Sequence, residues 1–270
     1  MDINSIQVLI TGGGDLASGA AYRLHQCGFP LLVVEKQEPV AVRRKVAFAS
    51  AVYESQVEIE GIKAEFIESW QKCRQLQEQD KIPVTTVDNF SEFAHKYDNE
   101  VYIDGRMLKR RPEDIGRHLA PLVIGLGPGF TAGENVDAVV ETCRGHFLGR
   151  AIYEGSAHSY TGKPGKIQGM REERVIHAPA AGRFTSEQSI GNIVEPGQVV
   201  GKVNGKVLEA EISGVIRGLL QPGIEIPRGT KLADIDPRGQ QEYVHYISDK
   251  ALAVGGGVLE AILNKFTGRF

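Results

Sequence analysis

No stretch of this chain stays apolar for the roughly 18 residues that a membrane-spanning helix needs. Its start, Met1-Asp2-Ile3-Asn4, lacks the basic then apolar order of a secretion leader. The expectation is a cytoplasmic protein with no membrane partner. Long runs of one charge are missing too. The formal net charge is -3, no extended Lys/Arg cluster offers a clamp for a phosphate backbone, and there is no acidic tail, so nucleic acid is not an expected partner. Cysteine is scarce: Cys27, Cys73 and Cys143 stand far apart with no CxxC pair. That spacing fits reduced thiols better than a disulfide or zinc framework, so no metal site is expected, and Cys27 is read as helix core. What is present, 270 residues of which 41% are apolar and 24% charged, suffices for one large or two smaller domains.

From Gln7 to about Ile152 short β-branched runs alternate with amphipathic stretches. Val8–Thr11, Leu31–Glu35, Pro83–Val87, Val101–Asp104 and Leu122–Gly125 are too short for helices and mostly apolar, as strands covered on both faces should be. Helices are expected over Ala17–Cys27, Pro39–Ala49, Ile67–Gln79 and Glu134–Thr142. A glycine-rich stretch from Gly155 to Gly165 reads as a linker. Beyond it, Val175 to Pro237 reads entirely as β-structure and repeats itself at an offset of 32 residues. Gly182 aligns with Gly214, Val194 with Ile226, Gly197 with Gly229 and Val203 with Ile235. Asn204-Gly205 signals a type I′ hairpin at the centre of the repeat. The tail, Asp249–Phe266, has a largely apolar helical face interrupted by Gly255-Gly256-Gly257.

The expected fold is therefore α/β: a Rossmann-like doubly wound parallel sheet, then a small all-β barrel-sandwich module of the biotinyl/lipoyl kind and a C-terminal helix. The expected boundaries are 1–165, 170–240 and 241–270. A modifiable lysine is not expected at the hairpin, because Lys206 lacks the sequence context of a carrier lysine.

Thr11-Gly12-Gly13-Gly14-Asp15-Leu16-Ala17 follows an apolar strand and opens a helix, the setting in which such a loop holds phosphate. Gly12 makes the tight turn, Gly13 and Gly14 let backbone approach phosphate oxygens, Asp15 opens the helix, and small Ala17 lets the helix pack on the strand. Glu35 ends the next strand, where an acid commonly accepts hydrogen bonds from ribose. Arg43 and Arg44 are candidates for a second phosphate; a solvated helix face is the alternative.

A second loop, Gly125-Leu126-Gly127-Pro128-Gly129, repeats the pattern and could face the same crevice, or serve packing alone. Glu141-Thr142-Cys143-Arg144-Gly145-His146 then gathers an acid, a thiol, a guanidinium and an imidazole. Arg144 and His146 are read as anion or cofactor contacts; a nucleophilic Cys143 would need an activated thiolate. No catalytic residue is assigned. Asp104, ending another strand before Arg106 and Lys109, is read as an edge-of-crevice acid or a helix cap.

Gly12 to Ala17, Val42 to Phe48, Leu126 to Gly133, Glu141 to His146, Ala178 to Gly182, Asp234 to Arg238 and Ile247 to Gly257 together resemble the selenium-dependent molybdenum hydroxylase accessory family, the YqeB type. More distantly, the nucleotide-binding half resembles the xanthine dehydrogenase accessory family. Here Gly12-Gly-Gly-Asp15 stands where those relatives carry Gly-Ala-Gly-His, and their separate cysteine-bearing domain has no counterpart. The resemblance implies a maturation factor that binds a molybdopterin dinucleotide, acts without turnover of its own and partners a molybdenum hydroxylase apoenzyme. A second copy of the chain is a further candidate partner. The competing reading of the first glycine loop is an NAD(P)-binding oxidoreductase, for which no Tyr-x-x-x-Lys or His/Asp pair is visible.

Overall fold

The computed structural model describes residues 2–268. The chain forms two compact units. Residues 2–39, 48–160 and 247–268 make the first, and residues 40–47 and 161–246 make the second.

In the first unit the β-branched runs become strands, since branched side chains pack well on a pleated, buried surface. In chain order the elements are β1 (Val8–Thr11), α1 (Asp15–Gln26), β2 (Leu31–Glu35), α2 (Ala51–Glu54), β3 (Gln56–Ile59), β4 (Ile62–Phe66), α3 (Cys73–Gln77), β5 (Ile82–Thr86), α4 (Phe90–Lys96), β6 (Val101–Asp104), β7 (Leu122–Leu126), β8 (Thr131–Ala132), β9 (Ala138–Val140), β10 (Ala151–Ile152), β11 (Gly155–Ser156) and, at the end of the chain, α5 (Asp249–Phe266). Nine strands form one sheet in the order β10-β9-β7-β6-β1-β2-β5-β4-β3, while β8 and β11 form a separate antiparallel pair.

The expected doubly wound Rossmann sheet with an appended barrel-sandwich module and tail is corrected by this topology. The sheet is mixed: its outermost pairs, β3 with β4 and β9 with β10, are antiparallel. No α-helix crosses between β6 and β7 or between β7 and β9 among the described residues. The stretch expected as a helix over Glu134–Thr142 instead yields β9. Its Val139-Val140 pair favours an extended backbone, and the Asp137 carboxylate accepts the Val123 N–H at 2.8 Å, pinning the strand to β7. Pro39–Ala49 is likewise not a helix. It carries only short 3-10 turns, because Val42 O accepts from Leu219 N at 2.8 Å and ties residues 40–47 into the second unit. Ile67–Gln79 narrows to a 3-10 turn and the five residues of α3.

One face of the sheet packs Leu9, Leu32, Tyr102, Val123 and Val139 against Leu76, Phe93, Tyr97 and Phe130. The other face carries α1 and α5. Gly255-Gly256-Gly257 does not interrupt α5, which is continuous. A methyl group on Gly255 would press on the backbone of Gly19 in α1, and one on Gly257 would run into Gly149 O and Val140. Two of the three glycines thus let α5 lie directly on α1 and on the β9–β10 turn.

The second unit is built from β12 (Val175–His177), β13 (Gly182–Thr185), β14 (Ile193–Val194), β15 (Val199–Val203), β16 (Lys206–Glu209), β17 (Gly214–Leu219), β18 (Glu225–Ile226) and β19 (Lys231–Asp236). They form two four-stranded antiparallel sheets, β12-β19-β17-β14 and β16-β15-β13-β18. The 32-residue offset carries β13 onto β17, β14 onto β18 and β15 onto β19, and strands of one half pair with strands of the other. Asn204 and Gly205 turn the β15–β16 hairpin with φ of 48° and 78°, the positive values a type I′ turn requires.

Candidate functional site

The sequence places glycine wherever β1 must turn sharply into α1. Gly12 has φ of 81°, and a side chain there would press on the backbone of Arg106. Gly13 is hemmed in by Ala49, whose N–H donates to Gly13 O at 2.9 Å. Ser18 Oγ donates to that same carbonyl at 3.0 Å and accepts the Phe48 N–H at 2.9 Å. Gly14 differs from both. Its backbone is extended, with φ −73° and ψ −177°, no side chain caps the helix it begins, and a Cβ built on it meets nothing within 4 Å. Gly12 and Gly13 shape the loop; Gly14 leaves the helix terminus open. Ala17 packs against Gly105, a contact too close for a larger residue.

Glu35 sits under this loop. Its carboxylate accepts the Gly13 N–H at 3.0 Å and the Lys36 N–H at 2.9 Å. Burial raises its pKa, and these two bonds only partly oppose that rise. Both oxygens are thus engaged with backbone, and Glu35 braces the glycine loop. Asp104 caps no helix. Its buried carboxylate grips the Arg106 guanidinium, which extends to Asp114 with bonds of 2.8 and 3.0 Å.

Beyond β9 the chain forms a second cluster. Glu141 is almost wholly buried, and its carboxylate accepts the Cys143 N–H at 2.6 Å, the His158 N–H at 2.8 Å and a bond with His158 Nδ1 at 2.6 Å. Burial pushes its pKa up, but these partners outweigh burial and the net shift is downward. Arg144 pairs through both guanidinium nitrogens with Asp249, the first residue of α5, at 2.8 and 2.9 Å. Ser248 caps that helix by accepting the Ala251 N–H.

Lys250 follows. Among the described residues no hydrogen bond or ion pair holds its half-buried ammonium. Burial and then the nearby Arg144 lower its pKa, against the pull of Asp15, Cys143 and Glu141. α1 and α5 run side by side, with Ala251 against Gly19 and Gly255 against Gly19 and Arg23. Their N-termini therefore share one end of the pair, and Lys250 lies within electrostatic reach of Asp15.

Of the residues expected at the site, Gly12, Gly13, Gly14, Asp15, Ala17 and Glu35 come together at the loop, and Arg144 stands in the neighbouring cluster. The second loop serves packing: side chains on Gly125, Gly127 and Gly129 would run into Phe130, Thr142 and Arg110 O, and Pro128 sits half-exposed between them. His146 packs edge-on against Phe147. Arg43 and Arg44 belong to the second unit. There Arg43 donates to the carbonyls of Tyr243 and Tyr246, and Arg44 to Leu219 O and Gln221. These bonds tie both guanidinium groups into the second unit.

Sequence reasoning missed Lys250 and His158, which lie 107 and 15 residues from Cys143 and carry no local motif. Cys27 also departs from its reading as helix core: it is exposed at the end of α1. Among the described residues no group of three or more His, Cys, Asp or Glu is arranged to hold a metal ion. No described helix is long and apolar enough to cross a membrane. A cavity of about 290 Å³ between Asn4, His25, Arg74 and Gln77 opens at the amino ends of β1 and β2, away from the glycine loop.

The chain is 41% identical over 258 residues to the uncharacterized protein YqeB of Escherichia coli (strain K12), covering 95% of this chain. It spans about half (47%) of that relative's length. No family model matches. Three solved structures show some likeness to the chain. One is the ectoine utilization protein EutE (DoeB) of Ruegeria pomeroyi, at 12% identity and TM-score 0.24 over 84% of this chain and 56% of that one. Another is a succinylglutamate desuccinylase/aspartoacylase of Rhodobacter sphaeroides, at 14% and 0.22 over 84% and 51%. A third is an aspartoacylase family protein of Mesorhizobium loti, at 9% and 0.27 over 86% and 85%. At such TM-scores none of them bears on what this chain does.

Proposed function

We propose that the loop after β1 holds the pyrophosphate of a nucleotide-bearing cofactor, and that the chain serves as a maturation factor carrying molybdopterin dinucleotide to a molybdenum hydroxylase apoenzyme. The observation that carries the reading is Gly14, extended, uncapped and open, at a helix terminus whose first residue, Asp15, lies within electrostatic reach of Lys250. Phosphate oxygens would accept from the first-turn N–H groups, and the helix dipole favours their charge. Lys250 adds a point charge in a setting that water screens weakly. The chain supplies grip and orientation, and no residue is asked to turn the cofactor over. The molybdenum assignment rests on the sequence resemblance.

The NAD(P) reading fits less well. The Glu35 carboxylate that would receive a ribose already accepts one backbone N–H on each oxygen, so a ribose would have to share oxygens that brace the loop. Titration of the protein with molybdopterin cytosine dinucleotide is expected to give saturable binding that Gly14→Val abolishes. Valine adopts the Gly14 backbone angles without strain, so the variant should fold while filling the open space. No binding by the wild-type chain, or unchanged binding by the variant, would overturn the proposal.

A further inference from the structure

The turn from Glu141 to His158 carries a feature that phosphate binding does not use. Phe147 is a large apolar side chain left 47% exposed. Around it stand the His158 ring, stacked at 5.8 Å and 27°, the His146 ring edge-on at 5.2 Å, and the Arg150 guanidinium 5.4 Å from its centroid. His158 is not a loose surface imidazole. Glu141, itself shielded from water, accepts both the backbone N–H and the Nδ1 side of the ring, which fixes the ring plane while most of the side chain stays exposed. Such a carboxylate–imidazole pair restricts the ring to one orientation, so little entropy is lost when a second flat group packs beside it.

This aromatic surface is linked to the phosphate end of the site. Glu141 holds His158 with one oxygen and the Cys143 N–H with the other; Arg144, next in the chain, forks onto Asp249, and Lys250 follows. Glu141, Cys143 and Arg144 all lie within electrostatic reach of Lys250. A flat ring and a cation are thus presented by one continuous run of contacts.

We infer that Phe147 and His158 form a stacking platform for a planar, nitrogen-rich heterocycle whose attached diphosphate is held by Lys250 and the Gly14 terminus of α1. This rests on the phosphate-binding reading and names the other half of the ligand. Exposed aromatic rings gain most from flat π-systems, because stacking hides apolar face area while leaving ring-edge polar atoms in water. Either a nucleobase or a pterin satisfies that chemistry.

Calorimetric titration of the full chain with three probes separates the cases: inorganic pyrophosphate, cytidine 5′-diphosphate and 6-hydroxymethylpterin diphosphate. Wild-type protein should bind at least one ring-bearing probe more tightly than pyrophosphate. Phe147→Ala should weaken that probe roughly five- to a hundredfold and leave pyrophosphate unchanged, whereas Lys250→Met should weaken all the probes that bind. Which ring-bearing probe suffers identifies the ring as base or pterin. Phe147→Trp should keep the affinity, and its added indole emission should be quenched on binding. Equal affinities of wild type and Phe147→Ala for both ring-bearing probes would overturn the platform while leaving the phosphate site standing. Failure of wild-type protein to bind any probe would overturn both.

Discussion

At the scale of single residues, neighbouring glycines have different duties. Gly13 is walled in by Ala49 and Val33, whereas Gly14 faces open space. Gly13→Ala should therefore destabilise the fold by about 1–3 kcal/mol through overpacking. Gly14→Ala should change the stability by less than about 0.5 kcal/mol. Chemical denaturation of the pair checks this directly. The charges of the second unit behave as a buried network. Asp234 is almost fully buried and meets Arg174 at 2.6 Å, Arg217 at 2.9 Å and Lys231 at 3.6 Å. Burial alone would raise its pKa, but Lys231, Arg217 and Arg174 outweigh burial and bring it to about 2. A depressed carboxylate pKa means the native state holds its proton less tightly than the unfolded chain. The stabilisation is thus complete above about pH 4, the ordinary range of an unfolded aspartate, and is lost as pH falls toward 2. Asp234→Asn should cost about 3–5 kcal/mol at pH 7, because Arg174 stays buried, and Arg217 mostly so, with the carboxylate they share removed. It should also flatten the fall in melting temperature between pH 4 and 2. The thiols differ in the same physical way. Cys73, buried beside Tyr97, has its pKa pushed up to about 11, while Cys27 and Cys143 are exposed. Iodoacetamide at neutral pH should label Cys27 and Cys143 before Cys73, as peptide mass mapping would record.

At the scale of elements, α5 is the least orthodox helix in the molecule and offers its own control. Gly255 and Gly257 are buried where a methyl group would strike Gly19 and Gly149, but Gly256 is exposed with nothing near it. Gly256→Ala should raise stability by about 0.5–1 kcal/mol through helix propensity alone. Gly255→Ala and Gly257→Ala should lower it by about 1–3 kcal/mol, since backbone cannot yield as a side chain can. Thermal melts of the three variants decide the matter, and a uniform gain across them would mean that the close approach of α5 to α1 is not real. The same helix marks the limit of sequence reading. Its bounds are visible locally in the apolar residues Leu252, Val258, Leu259, Ile262, Leu263 and Phe266, though of these only Val258 and Ile262 lie in the buried stripe, which Val254 and Ala261 complete. That it would use glycines as contact points instead of breaks is a fact about α1 and β9, far away in the chain. The parallel strands were legible for the same local reason. Residues 40–47 and 134–142 were not, because Leu219 and Val123 decide their conformation through single long-range bonds.

At the scale of the whole molecule, half of the candidate site was written in one contiguous string and half was assembled by folding. Gly12 to Ala17 and Glu35 announce themselves because a strand, a tight turn and a helix N-terminus require particular residue types in order. Lys250 and His158 carry no such signature; the parallel packing of α1 on α5 brings Lys250 within electrostatic reach of Asp15, and Glu141 at the end of β9 holds His158. A ligand held there should tie together segments distant in sequence, and that coupling is measurable. The chain's single tryptophan, Trp70, belongs to the first unit and packs edge-on against Phe93 and Tyr97 in its core. A ligand at a hundredfold excess over its Kd adds about 2.7 kcal/mol to the state that binds it. The Trp70 fluorescence midpoint should then rise by roughly 5–10 °C. With Lys250→Met the rise should shrink at the same ligand concentration, while the ligand-free midpoint stays within about 2 °C of wild type, since the lysine gives up no partner. A full-sized shift in that variant would place the bound phosphate away from α5 and return the site to the glycine loop alone.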